Sequence, residues 1–176
     1  RLPRTITDAA VLRAGVVAVL AADVVYFVDV ADPEGPSITS TYEHGTSLHA
    51  IESWGDLVIL HGEKALFVID AADPLSAEHV GTLSLPDEYD RRSKVLAGDG
   101  VVFVSHYASN VLVIDVSVPR HPRIIGGIET SLSADGMAVA GRRLYIHDGS
   151  ERFDEHGNRI VGVFIYVLDV RPNGQL

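Results

Sequence analysis

Short apolar runs that end at an aspartate recur four times along the chain. The phrases are VVYFVDVADP (Val24–Pro33), ALFVIDAADP (Ala65–Pro74), VLVIDVSVP (Val111–Pro119) and IYVLDVRP (Ile165–Pro172). We call their aspartates the stop aspartates: Asp29, Asp70, Asp115 and Asp169. They lie 41, 45 and 54 residues apart along the chain. A phrase that recurs at this period indicates a repeat architecture in which each repeat is one supersecondary unit.

Each repeat contains short runs rich in Val, Ile, Tyr and Phe, separated by Gly, Asp and Pro. In the first repeat these runs predict the strands Ala9–Ala14, Val16–Ala21, Val24–Val30 and Ser37–Glu43. The separators predict turns, and no segment shows a helical period. The pattern predicts an all-β fold, a β-propeller-type array of four-stranded antiparallel blades. The repeat units cover about 9–43, 47–85, 93–129 and 134–170, within one domain spanning 1–176 or a part of a larger propeller.

The fourth repeat departs from the pattern in two ways. The sequence stops before a fourth strand, and an insertion over 148–159 separates its second and third strands. The insertion predicts a long protruding hairpin with Gly157 and Asn158 near its tip.

Three interpretations of the incomplete repeat remain open. Pro3–Thr7 could supply the missing strand and close a small ring, the chain could be an arc of a larger propeller, or the blades could form an open stack. We favour the arc, completed by the remaining blades of a larger propeller or by a protein partner. An uncapped terminal blade would expose apolar faces and unpaired strand edges, which promotes association.

Composition narrows the classes of partner. The chain has 176 residues, a net charge of −10 and no cysteine. An acidic surface is repelled by phosphate backbones, so we expect no nucleic-acid binding. The most apolar region, Ala14–Val30, is too short for a membrane span and is interrupted by Asp23 and Asp29, so we expect two strands and no membrane insertion. Without cysteine there are no disulfides or thiol nucleophiles, and we expect no cofactor.

The repeated phrases, together with GDLVILHGEKALFVIDAADP and GDGVVFVSHYASNVLVIDVSVP, resemble the LVIVD-repeat family of β-propellers. The resemblance covers nearly the whole chain. It implies a propeller fold, a bacterial or archaeal protein in an extracellular, cell-surface or periplasmic location, and a binding or scaffold role. It implies no particular reaction.

The stop aspartates have a structural explanation. An aspartate at a strand end accepts hydrogen bonds from backbone N–H groups of the following turn, and a proline then fixes the bend. We therefore assign Asp29, Asp70, Asp115 and Asp169 to turns rather than to catalysis or metal binding.

Three histidines occupy equivalent positions in successive repeats. His61, His106 and His147 each lie six residues after a turn glycine, at the far end of a second strand, and His49 falls near the same end of its blade. Imidazole is a common metal ligand, but equivalent positions on neighbouring blades are far apart for one ion. We therefore predict a polar rim that binds a ligand or partner, and no metal site.

The inserted hairpin is the other candidate binding element, because exposed loops on a rigid scaffold often carry binding. Its candidate binding residues are Arg152, Phe153, Asp154 and His156. The alternative is a solvated hairpin without a function.

No nucleophile elbow, zinc-protease, P-loop or dinucleotide-binding signature occurs in the sequence. The hypothesis is therefore a non-catalytic scaffold for protein–protein interaction or structural assembly. The alternative is a metal-dependent or ligand-binding propeller enzyme whose histidines line one face.

Overall fold

The computed structural model describes residues 5–86, 93–106, 110–129, 134–140, 143–148, 152–153, 155–160 and 164–169. Over these ranges the regular structure consists of seventeen strands and one 3-10 turn at Pro74–Ser76. The expected all-β fold is confirmed.

The first two sheets are four-stranded antiparallel meanders, in which each strand pairs with the next along the chain. Sheet 1 contains β1 (Asp8–Arg13), β2 (Val16–Ala21), β3 (Val24–Asp29) and β4 (Ser37–Glu43). Sheet 2 contains β5 (Leu48–Trp54), β6 (Leu57–Gly62), β7 (Ala65–Asp70) and β8 (Glu78–Ser84). The bounds predicted for sheet 1 differ from these by at most one residue at each end.

The third sheet repeats the meander, and the fourth is shorter. Sheet 3 contains β9 (Val95–Gly98), β10 (Val101–His106), β11 (Asn110–Asp115) and β12 (Arg123–Glu129). Sheet 4 contains β13 (Ala134–Ala140), β14 (Arg143–Asp148) and, after a small hairpin, β17 (Phe164–Asp169). The hairpin consists of β15 (Arg152–Phe153) and β16 (Arg159–Ile160), as the insertion predicts.

Each third strand ends on its stop aspartate, and the fourth strand begins at a fixed distance from it. In sheets 1, 2 and 3 that distance is eight residues. Asp29 pairs with Ser37 and Asp70 pairs with Glu78, and the same irregularity follows one residue inward in both sheets. The repeat therefore specifies strand register as well as strand order.

The turns between first and second strands depend on glycine. Gly15, Gly55 and Gly100 have φ angles of 78°, 59° and 77°. Side chains other than glycine rarely adopt this left-handed region. The glycines that mark the repeat in the sequence therefore mark tight turns in the fold.

The chain divides into two compact units, 1–91 with 116–123, and 92–115 with 124–176. In the first unit, sheets 1 and 2 share a core to which Val25 and Phe27 contribute from β3. Sheet 2 contributes from its first two strands the residues Leu48, Ile51, Val58 and Leu60. The two sheets therefore pack face to face, as blades do.

Hydrogen bonds also join sheets 1 and 2 along β1 and β5. The backbone N–H of Ile51 donates to Asp8 Oδ2 at 3.1 Å, and the Ser53 hydroxyl donates to the Val11 carbonyl at 2.7 Å. Arg13 donates to the carbonyl of Ala72 at 2.9 Å. Polar contacts therefore supplement the apolar core between these two sheets.

The fourth strand of each of the first two sheets contacts the next repeat. The contact is with the connection between the third and fourth strands of that repeat. Ser40, the fourth residue of β4, donates from its hydroxyl to the Pro74 carbonyl at 2.5 Å. Gly81, the fourth residue of β8, lies so close to the Pro119 carbonyl that a Cβ atom there would overlap the oxygen. The same contact between repeats is thus made twice with different residues.

In the second unit, sheets 3 and 4 pack in the same way. Phe103, Val111 and Val113 of sheet 3 form a core with Leu144 and Ile146 of β14. Met137 and Val139 of β13 lie against it. In a β-propeller, each blade is a sheet that packs through its apolar faces on the neighbouring blades.

The residue just before β1 continues the strand pairing of sheet 1. Thr7 donates its backbone N–H to the Leu20 carbonyl at 2.8 Å, so it extends the pairing of β1 with β2 in sheet 1. The interpretation that Pro3–Thr7 supplies a fourth strand for sheet 4 stays a prediction. Pro3 lies outside the described residues.

Within the described ranges, no helix is both long and apolar enough to span a bilayer.

Candidate functional site

Two of the stop aspartates make the hydrogen bond that an Asx turn requires. Asp29 Oδ1 accepts from the Ala31 N–H at 2.9 Å, and Asp70 Oδ1 accepts from the Ala72 N–H at 3.0 Å. Asp115 ends β11 and is half-buried. Asp169 is exposed and accepts from Arg143 Nε at 2.9 Å, so it pairs across to β14. Each of these carboxylates lies at a strand end.

His49 and His61 lie together in sheet 2. Their ring centroids are 6.1 Å apart and the rings meet edge to face. The register of β5 shifts between Leu48 and Ala50, so His49 occupies the irregularity at this end of the sheet. His49 is half-buried, whereas His61 is completely buried.

Burial sets the protonation state of His61. Desolvation, followed by the charge that His49 can carry, lowers the pKa of His61 from 6.5 to about 4. His61 is therefore neutral at pH 7. Because it is completely buried, it cannot form part of a polar rim that a partner touches, and this part of the sequence interpretation does not fit the fold.

The other two histidines occupy sheets 3 and 4. His106 ends β10 opposite Asn110, and its side chain lies outside the described part of the chain. His147 pairs with Ile165 in β17 and is exposed. In the described segments, no group of three or more His, Cys, Asp or Glu residues is placed to hold a metal ion. A binding role for His49, His106 and His147 stays a prediction.

The hairpin residues predicted to bind are described only in part. Arg152 and Phe153 form β15, and their side chains lie outside the described residues, as does the whole of Asp154. His156 is exposed in the turn, with Nε2 at 3.7 Å from Glu155 Oε1. Residues 155–158 are all exposed, and Gly157 has the positive φ of a tight turn. The turn is therefore accessible to a partner.

Sequence reasoning missed a second cluster of histidines, which lies between β4 and sheet 2. His44 stacks near Phe67 with centroids 4.1 Å apart, and His79 lies 5.9 Å from His44 and 6.0 Å from Phe67. Tyr42 completes the cluster, with its hydroxyl 3.4 Å from His44 Nδ1. Residues from two repeats thus form one aromatic contact.

The histidines of this cluster differ in their surroundings. His44 is half-buried, and its pKa is lowered by burial and then by His79. His79 is exposed, and its Nε2 lies 2.9 Å from both the Gly81 carbonyl and the Thr82 hydroxyl. Because a charged imidazole is costly to bury, this contact between the sheets is most stable when His44 is neutral.

No local signal in the sequence identifies this cluster. His44 follows the last residue of β4, whereas His79 is the second residue of β8, so the two positions are not equivalent in the repeat. They meet because sheet 1 packs on sheet 2. A contact between non-equivalent positions requires the three-dimensional arrangement.

The third strand of sheet 4 presents apolar side chains to solvent. Ile165 is 65% exposed and Val167 is 55% exposed. Among the described residues, no strand pairs with the edge of β17 that faces away from β14. This is the surface expected of an uncapped terminal blade.

Comparisons with known proteins support the fold. No protein-family model matches the chain, and no curated protein matches it. Two hundred and sixty-nine chains of solved structures match. The computationally designed Ika4 protein aligns with a TM-score of 0.64 at 10% identity, covering 94% of this chain and 92% of that chain.

Two natural structures align over a smaller share of their own length. A chain of the Mitotic Checkpoint Complex aligns with a TM-score of 0.64 at 16% identity, covering 96% of this chain and 47% of that one. BamB from Moraxella catarrhalis aligns with a TM-score of 0.62 at 17% identity, covering 98% of this chain and 52% of that one. This chain therefore spans about half of each. At these identities the likeness shows the β-propeller-type fold alone.

Proposed function

We propose that this chain is a non-catalytic scaffold for protein–protein interaction, built from LVIVD-type repeats and acting in an extracellular, cell-surface or periplasmic location. The repeated phrases support the family, and the resemblance supports the location. The observation that carries the interaction role is the exposed hairpin β15–β16 on sheet 4.

Sheet 4 keeps its strand pairing in spite of the insertion. Below the insertion, β14 and β17 stay paired without a shift, with Asp148 opposite Phe164 and His147 opposite Ile165. The equivalent connections in sheets 1 and 2 are two residues long, at 22–23 and 63–64. The insertion is therefore not needed for strand pairing. Loops placed in this way on rigid scaffolds commonly carry binding.

The charge of the insertion indicates the class of partner. It contains more acidic than basic residues, namely Asp148, Glu151, Asp154 and Glu155 against Arg152 and Arg159. The whole chain carries a net charge of −10. Complementary potentials steer association, so the partner we propose is a protein with a basic patch. The similar fold of a chain in the Mitotic Checkpoint Complex, which is an assembly, supports this role.

The test replaces 149–163 with Glu-Lys, the turn of sheet 2. The intact chain and this variant are immobilised, partners are captured at low salt, and any captured protein is purified and titrated against both chains. We expect one saturable partner whose affinity falls at least about tenfold for the variant and falls as salt rises. Unchanged thermal unfolding of the variant is the control for folding.

A partner that binds both chains equally would remove the hairpin from the interface. If the purified chain turned over a substrate and His49→Ala abolished that activity, the enzyme alternative would replace the scaffold proposal.

A further inference from the structure

The strongest unexplained surface is the third strand of sheet 4. Two positions in each third strand, two and four residues before the stop aspartate, carry apolar side chains. In sheets 1, 2 and 3 they are no more than 1% exposed, and their residues are Val25, Phe27, Leu66, Val68, Val111 and Val113. In sheet 4 they are Ile165 and Val167, which are 65% and 55% exposed.

Sheets 1 and 3 show what covers these positions. Val25 and Phe27 belong to one buried apolar core with Leu48, Val58 and Leu60 of β5 and β6 in the next sheet. Val111 and Val113 belong in the same way to one buried core with Leu144 and Ile146 of β14. In both cases the cover is an aliphatic face made by the first two strands of a following sheet.

Among the residues that the structure describes, no strand pairs with the edge of β17 that faces away from β14. In sheets 1, 2 and 3, a fourth strand begins eight residues after the stop aspartate. An unpaired strand edge presents backbone N–H and C=O groups to any strand that can align with it.

One continuous segment fulfils both requirements in sheet 1. Ser37–Gly62 contains β4, which pairs with β3, and also β5 and β6, which cover Val25 and Phe27. The segment is 26 residues long, and Arg123–Asp148 repeats it at the same length for sheet 3. A single strand–link–hairpin segment is therefore the unit that completes a sheet in this chain.

We infer that β17 and its exposed face are a docking site for a polypeptide segment of this same strand–link–hairpin type. Its first strand adds antiparallel to the free edge of β17, with its first residue opposite Asp169. The hairpin that follows covers Ile165 and Val167 with an aliphatic face. The inference rests on the proposed scaffold function, because it names the class of partner that one surface accepts.

The experiment uses the full chain and a labelled synthetic peptide with the sequence of Ser37–Gly62. Binding is followed by fluorescence anisotropy, and backbone protection by hydrogen exchange. We expect saturable binding, slower exchange in 164–169, and an affinity at least about tenfold weaker for Val167→Lys, because the lysine places a charge in an apolar contact. A scrambled peptide should not bind.

Val118→Lys is the matched control, because Val118 is also a valine that is 55% exposed. It lies after β11, outside sheet 4, and its replacement should leave the affinity within about twofold. Absence of saturable binding, or equal loss in both variants, overturns the inference. A further outcome is self-association of the chain that Val167→Lys abolishes and that the peptide does not inhibit. The occupant of the site would then be a second copy of the chain, and the inference would be overturned.

The outcome is separable from the test of the hairpin. Replacing 149–163 should leave peptide binding unchanged. If the peptide fails while a partner binds through the hairpin, only the docking site is lost. If the peptide binds while the hairpin captures nothing, the docking site stands and the hairpin loses its role.

Discussion

Sheet 1 and sheet 4 carry the same third-strand pattern and use it differently. Phe27 and Val167 both lie two residues before a stop aspartate, yet Phe27 is completely buried and Val167 is 55% exposed. The apolar side chain at this position is therefore buried by a neighbouring sheet, not by its own strand. Phe27 shares a core with β5 and β6, whereas no described sheet buries Val167.

The largest expected effect tests this difference directly. Phe27→Ala removes a completely buried ring from the core between sheets 1 and 2. We expect it to lower the free energy of unfolding by about 3–5 kcal/mol, measured by urea unfolding. Val167→Ala should change it by less than about 0.5 kcal/mol, because most of that side chain is already in water.

Equal losses in the two variants would contradict the comparison, since they would mean that Val167 is as closely packed as Phe27.

A second test uses the histidines, because His61 and His147 are equivalent in the repeat. His61 is completely buried with a pKa lowered to about 4, whereas His147 is exposed. Above pH 6.5 the native and unfolded states both keep His61 neutral. Between pH 6.5 and about 4 only the unfolded state takes up the proton, so the free energy of unfolding should fall as the pH falls. The loss should approach roughly 3 kcal/mol.

His61→Leu should flatten this pH dependence, measured by urea unfolding at a series of pH values from 7 to 4. His147→Leu should leave it in place. A pH dependence that survives in His61→Leu would assign it to other groups, among them His44, whose pKa is also lowered by burial.

Some features of the molecule could be predicted from the local sequence pattern. The strand bounds of sheet 1, the stop aspartates at strand ends and the hairpin between β14 and β17 follow from alternating apolar residues and turn chemistry within one repeat. The exposed apolar side chains of β17 agree with the expectation that an uncapped terminal blade exposes an apolar face.

The remaining features depend on contacts between repeats. The cluster of Tyr42, His44, Phe67 and His79 combines non-equivalent positions, so no spacing reveals it. The complete burial of His61 could not be predicted either, because the sequence pattern places His61, His106 and His147 at identical points. Their environments differ according to what packs against each sheet, and only the fold supplies that.

A third prediction concerns the close approach at Gly81. A Cβ atom there would overlap the Pro119 carbonyl oxygen and lie 3.1 Å from Pro122 Cδ. We expect Gly81→Ala to lower the free energy of unfolding by about 1–3 kcal/mol, because the backbone of the outer strand or of the connection must shift. Thermal and urea unfolding would measure the loss.

Gly127→Ala is the control in another outer strand, where a Cβ atom would lie 3.7 Å from the Val111 carbonyl oxygen, an ordinary contact. It should be neutral or slightly stabilising, by up to about 0.5 kcal/mol, since alanine restricts the unfolded chain. If both alanines cost the same, the contact of β8 with the connection is not what requires glycine.

The smallest expected effect concerns the equivalent contact in sheet 1. Ser40 occupies the position of Gly81 one repeat earlier and donates to the Pro74 carbonyl at 2.5 Å. Ser40→Ala should lower the free energy of unfolding by about 1 kcal/mol, the usual net value of one hydrogen bond. Ser37→Ala, at the exposed start of the same strand, should change it by less than about 0.5 kcal/mol. If Ser40→Ala is as neutral as Ser37→Ala, the outer strand of sheet 1 is positioned by the apolar core and by backbone pairing to β3. In that case a segment that docks on β17 would require only an edge that no described strand occupies and an apolar face, both of which β17 presents.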